Sequence, residues 1–138
     1  MNPEIKAQWI AALRSGEYRQ GRNTLRDAKD RFCCLGVLCD LAEKAGVISE
    51  PQQMSTGIYQ YADGFSGRFR QIGVLPEKVA EWSGLDDDMH ADPYDPEVER
   101  DGVRRCLSAL NDEGWEPDPA TSTPLTFDQI ADLIEEQL

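Results

Sequence analysis

The sequence predicts an α+β fold: a small single domain dominated by about four helices, with a short hairpin or minor sheet. Three observations lead there. Apolar residues recur at helical spacing in separate stretches, each opened or closed by recognisable capping residues. Between them lie a polar stretch and a glycine-rich, aromatic middle that suit extended chain and turns. Finally, 138 residues with 40% apolar and 29% charged side chains suffice for one core but not for two full domains. Residues 1–138 therefore read as one compact unit, with an acidic loop or insert at about 85–97. An all-α domain is the alternative, because neither strand region alternates cleanly.

The elements follow in order. Asn2 and Pro3 open a helix over 3–14, since asparagine caps the free N–H groups and the missing proline donor costs nothing in a first turn. Ile5, Trp9, Ala12 and Leu13 share its inner face. Residues 18–32 suit two short extended pieces around an Asp27-Ala28-Lys29-Asp30 turn. A second helix, 33–45, carries the stripe Cys34, Val37, Leu38, Leu41, Ala42 and Ala45, with Gly46 as its left-handed cap. Gly36 inside it implies close approach by another backbone, expected to be the first helix. Val47-Ile48 should begin a short strand in an irregular region that extends to residue 74. Leu75, Val79 and Trp82 line a two-turn helix closed by Gly84. The spacing of Val98, Val103, Cys106, Leu107 and Leu110 predicts a helix over 97–111, after which Trp115 covers the core. Pro117, Pro119 and Pro124 keep 116–124 irregular. Thr126 and Gln129 then form a capping box, and Leu125 and Ile130 a hydrophobic staple, for a last helix over 126–137. The helices should meet around Trp9, Leu38, Leu41, Val79, Leu107, Ile130 and Ile134.

Charge is divided unevenly. Residues 1–69 hold nine basic and eight acidic side chains, and residues 70–138 hold five basic and eighteen acidic, for a net −12 overall. Such a balance opposes direct nucleic-acid binding, which needs phosphate neutralisation. It suits a partner with a basic surface, or serves solubility alone. Nine acidic residues fall between 81 and 101 with Arg100 as the one Lys or Arg. Six basic and three acidic residues lie from Arg14 to Arg31, a stretch that could grip an anion or pair with the acidic second half.

No stretch reaches membrane-spanning length and the start lacks a signal-peptide pattern, so a complete cytoplasmic protein without membrane attachment is expected. Cys33, Cys34, Cys39 and Cys106 read as small buried thiols; their spacing on a helix makes a poor chelate, and neither metal nor cofactor is expected. Asp86, Asp88, His90 and Asp92 alternate, but without the glycine and terminal glutamate of a calcium loop. Asp40 and Glu43 read as solvated, and His90 lacks a nucleophile to serve, so no catalytic residue is singled out and an enzyme of unknown class is a weaker alternative.

The positive expectation is a binding module. Its acidic surface comprises Asp86, Asp87, Asp88, Asp92, Asp95, Glu97, Glu99 and Asp101, with Trp82, Met89 or Tyr94 as apolar anchor. The rival is a small anionic, nucleotide-like ligand held by Arg22, Arg26, Arg68 or Arg70 with Tyr59 and Tyr61.

Several phrases carry a resemblance. Residues Arg31-Phe32-Cys33-Cys34-Leu35-Gly36-Val37-Leu38-Cys39-Asp40-Leu41, then Leu75-Pro76, Trp82-Ser83-Gly84-Leu85, Leu110-Asn111-Asp112-Glu113-Gly114 and Phe127-Asp128-Gln129-Ile130-Ala131-Asp132, resemble a family of small uncharacterised proteins encoded by bacteriophages and prophages. The resemblance covers most of the chain except the middle and the acidic insert, where this sequence departs from the shorter pattern. It brings no activity and no functional residues. It implies a cytoplasmic accessory protein acting against a host system. If the partner of the acidic surface belongs to a defence or nucleic-acid-handling system, the charge amounts to DNA mimicry.

Overall fold

The structure, a computed structural model, describes residues 1–62, 70–85 and 95–138. Among the described residues five helices and three small sheets make an α+β domain: α1 Pro3–Arg14, β1 Arg19–Gln20, β2 Arg31–Phe32, α2 Cys34–Lys44, β3 Gln52–Gln53, β4 Tyr59–Ala62, β5 Arg70–Gln71, α3 Glu77–Ser83, β6 Glu97–Arg100, β7 Val103–Cys106, α4 Leu107–Asp112 and α5 Phe127–Gln137. β1 pairs in parallel with β2, β4 lies between β3 and β5, and β6 and β7 form a hairpin.

Helix α2 is the centre. α1, α3 and α4 pack against it, and α5 packs on α1 and α4. Its residues from Cys34 to Asp40, and Ala42, are all buried, so it is enclosed on nearly every side rather than amphipathic. Leu41, expected at the core, is only partly buried, whereas Trp9, Leu38, Val79, Leu107, Ile130 and Ile134 are buried as the periodicity requires. Trp9 also donates its indole N–H to the Cys34 carbonyl at 3.0 Å.

Local signals set most boundaries. The Asn2 side chain accepts from the N–H groups of Glu4 and Ile5, and Thr126 and Gln129 form the reciprocal box that opens α5. At the end of α2, Gly46 (φ +77°) donates to Glu43 and Val47 to Ala42, a Schellman closure. That closure turns the chain at Val47-Ile48, which is a bend and not the expected strand.

Two expectations are corrected. The close backbone at Gly36 is not the first helix but the Leu25 segment, whose carbonyl oxygen lies 1.8 Å from where a Cβ would stand. The helix expected over 97–111 is instead the β6–β7 hairpin followed by the short α4. Asp101 and Gly102 have φ of +54° and +77°, the two left-handed central residues of a type I′ turn, and Asp-Gly supplies them at low strain. The apolar spacing that suggested one helix spans a strand pair and a short helix, in which Val98, Leu107 and Leu110 are buried while Val103 is exposed.

Candidate functional site

The acidic surface expected between 81 and 101 is described in part; Asp86, Asp87, Asp88, Met89, His90, Asp92 and Tyr94 lie outside the described residues. Asp95 works inside the fold. Its carboxylate accepts from the Ser108 N–H at 3.3 Å and from the Ser108 hydroxyl, at the start of α4 where Cys106 offers no side-chain cap. Glu97 and Glu99 stand on β6, and Arg104 on β7 faces both at 3.8 and 3.9 Å. Asp101 projects from the turn with its side chain 91% exposed, 3.7 Å from Arg100. Trp82 is half-buried against the core. Gln137 closes the outer edge of β6, its side-chain amide exchanging hydrogen bonds of 2.7 and 2.9 Å with the backbone of Glu99 and tying the hairpin to α5.

The arginines of 14–31 are employed elsewhere. Arg14 pairs with Asp132 and Glu135 on α5, which raises its already high pKa; Arg26 pairs with Asp30 and Arg31 with Asp27. Among the described residues, none of them pairs with a carboxylate between 81 and 101.

The rival set is split. Arg26, Tyr59 and Tyr61 do come together. The Arg26 guanidinium lies 3.9 Å from the centroid of Tyr59 and 5.2 Å from that of Phe32. Its Nε and a terminal nitrogen both donate to Asp30, at 2.9 and 2.7 Å. Tyr61 is fully buried, and burial first of all raises the pKa of its hydroxyl. Arg22 stands apart, exposed beside Asp112, Glu113 and Glu116. Arg70 belongs to β5, whose register sets it against Ala62, and Arg68 lies outside the described residues.

Two groupings were not legible beforehand. Asp40, expected in solvent, is buried at 8% exposure, accepts from the Tyr18 hydroxyl and pairs with Lys44 at 2.8 Å. Lys44 also donates to the Tyr18 hydroxyl at 3.1 Å, and these two bonds raise the lysine pKa. The triad bridges α2 to the segment before β1, a fastening rather than a reactive centre, since every partner is engaged. The second is Arg100 over Trp115, 5.1 Å from the ring centroid, beside the acidic hairpin. An arginine at the end of a strand and a tryptophan fifteen residues later give no local pattern; the pair exists because α4 returns the chain to the hairpin.

All four cysteines are free thiols, and Cys33, Cys34 and Cys39 are buried. The Cys33 sulfur accepts from the Gly36 N–H at 3.4 Å as the cap of α2, and burial pushes its pKa up to about 12, far from a reactive thiolate. Among the described residues no helix is long and apolar enough to cross a membrane, and no three His, Cys, Asp or Glu residues are grouped to hold a metal.

A family model described as a domain of unknown function (DUF8296) matches residues 1–138. No curated protein and no solved structure matches the chain.

Proposed function

The chain belongs to the DUF8296 family along its whole length, and we propose that it works there as a binding protein, a phage or prophage accessory factor that engages a basic surface of a host protein in the host cytoplasm. The observation that carries this reading is the pattern of ion pairing. Of the six basic residues of 14–31, the protein's own best means of neutralising its acidic half, Arg14, Arg26 and Arg31 are paired with Asp132 and Glu135, with Asp30 and with Asp27, and none pairs with the acidic stretch, among the described residues. Glu99 and Asp101, which follow Asp86, Asp87, Asp88 and Asp92 in the sequence, retain side-chain exposures of 57% and 91%.

Opposite charge would speed encounter and select partners more than it would tighten the complex. A target that ordinarily holds nucleic acid would present the required arginines and lysines, and carboxylates would then stand in for phosphates. Binding of a small anionic ligand is less well supported, because the Arg26 guanidinium already donates twice to Asp30.

The test is affinity capture from host lysate with the wild type and an Asp86→Asn, Asp87→Asn, Asp88→Asn variant. Recovery of a basic host protein by the wild type alone supports the reading. Equal recovery by both forms, or a copurifying anionic metabolite without a protein, overturns it.

A further inference from the structure

Three cavities of about 450, 420 and 250 Å³ meet at Glu116, on the proline-rich loop 115–124. The first and third share Arg100 and Trp115, the first and second share Pro124, and the second and third share Pro117. They adjoin around the loop, and we treat the three hollows as one furrow, bordered by the β6–β7 hairpin on one side and α5 on another.

The furrow is built before any ligand arrives. Gly114 (φ +93°) sits where a Cβ would stand 2.1 Å from the Thr123 carbonyl oxygen, so the two ends of the loop touch. Asp118 turns the chain between them: its carbonyl accepts from the N–H groups of Thr121 and Ser122 at 3.0 and 2.9 Å, and its side chain from Ala120 at 2.9 Å. Ser122 closes the loop by donating its hydroxyl to the Glu113 carbonyl. Preformed walls reduce the ordering cost of binding.

The walls lean acidic. Asp101, Asp112, Glu113, Glu116 and Asp132 outnumber Arg22, Arg100 and Arg105 along the three cavities, although Asp132 pairs with Arg14, Glu113 with Arg105 and Asp101 with Arg100. Glu116, at the junction, makes no ion pair among the described residues. The protein also displays its own stand-in: Arg100 places a guanidinium 5.1 Å from the Trp115 ring centroid, within cation–π range. That side chain is 56% exposed, and among the described residues its paired carboxylate, Asp101, is 3.7 Å away and still more exposed, a weak tether.

We propose that this furrow is the seat of the protein partner: it accepts an extended basic segment whose arginine or lysine displaces Arg100 from Trp115 and pairs with Glu116. The inference rests on the reading of the chain as a binder of a basic surface, and it locates the contact around Trp115 rather than on the acidic insert at about 85–97. The insert supplies the attraction at a distance, and the furrow supplies the contact.

The experiment is calorimetric titration of the full chain with a tetra-arginine peptide at low ionic strength, with tetra-glutamate as control. Arg100→Ala removes the internal occupant. Arg104→Ala removes the same charge from the same hairpin without touching the ring. Arg100→Ala should bind tetra-arginine about two- to fivefold more tightly than Arg104→Ala does, and Glu116→Gln should bind it more weakly than wild type. Equal affinities for the two arginine variants would show that charge alone matters and would overturn the furrow. If binding weakens only in the Asp86→Asn, Asp87→Asn, Asp88→Asn form, the basic-partner reading stands and the furrow falls. If tetra-arginine does not bind the wild type, both fall. The three positions substituted for the furrow, Arg100, Arg104 and Glu116, are exposed, and circular dichroism checks that each variant is folded.

Discussion

Arg26 and Arg100 have nearly the same surroundings by composition: an aromatic ring under the guanidinium and an aspartate on an adjoining turn. They are built to different ends. Arg26 lies between Phe32 and Tyr59, makes two short bonds to Asp30, and keeps only 21% of its side chain exposed. Arg100 rests on one ring, has its carboxylate at 3.7 Å, and is 56% exposed. The first guanidinium is largely covered and donates twice to Asp30, so it fastens the loop before β2 to β4. The second has donors left for water or for a partner. Residue types therefore identify neither as a site; the distinction lies in how many of the five guanidinium donors the fold already uses.

The strongest way to break the closed station is through its anchor. Gly36→Ala would push a methyl into the Leu25 carbonyl beside Arg26 and should cost about 3 kcal/mol or more of unfolding free energy, measured by urea titration. Arg26→Ala removes the guanidinium between two rings and strands Asp30, and should cost about 1–2 kcal/mol. Arg100→Ala should change the same quantity by less than about 0.5 kcal/mol. If the two alanine variants were equally destabilised, the contrast would be wrong. Between these, Asp95→Ala should cost about 1 kcal/mol by removing the acceptor at the start of α4, which would mark that acidic residue as structural rather than partner-facing.

The smallest effect is a matter of pH. Burial, then repulsion from Asp40 and Glu50, raises the pKa of Glu43. A carboxyl whose pKa is higher folded than unfolded opposes folding once it ionises. Glu43→Gln should therefore stabilise the protein slightly at pH 7, by about 0.5 kcal/mol or less. That gain should vanish as pH falls through the unfolded carboxyl range near 4. A gain that persisted at pH 3 in thermal unfolding would assign the effect to packing instead.

What the sequence makes legible is what short-range chemistry decides. Asn2, Gly46, Gly84 and the Thr126–Gln129 box sit within a turn of the groups they satisfy, so the ends of α1, α2, α3 and α5 could be read directly. The same reading missed the hairpin although Asp101-Gly102 signals one, because Val98, Val103, Cys106, Leu107 and Leu110 happen to mimic a helical period across a strand pair and a short helix. Long-range partnerships left no local trace. Asp95 reaches Ser108, Gly36 meets Leu25, and Asp40 finds Tyr18 only after the chain has folded. The candidate site suffered most. Its acidic members could be listed from composition, yet Trp115, taken as a cover for the core, and Arg100 became a pair only through the return of the chain after α4.

The most direct measurement follows the three tryptophan indole N–H signals by NMR as tetra-arginine is added at low ionic strength. Trp115 should shift in a saturable way, while Trp9, buried and bonded to the Cys34 carbonyl, stays still. A shift confined to Trp82, or no saturable shift at any indole, would contradict a cation seat on Trp115.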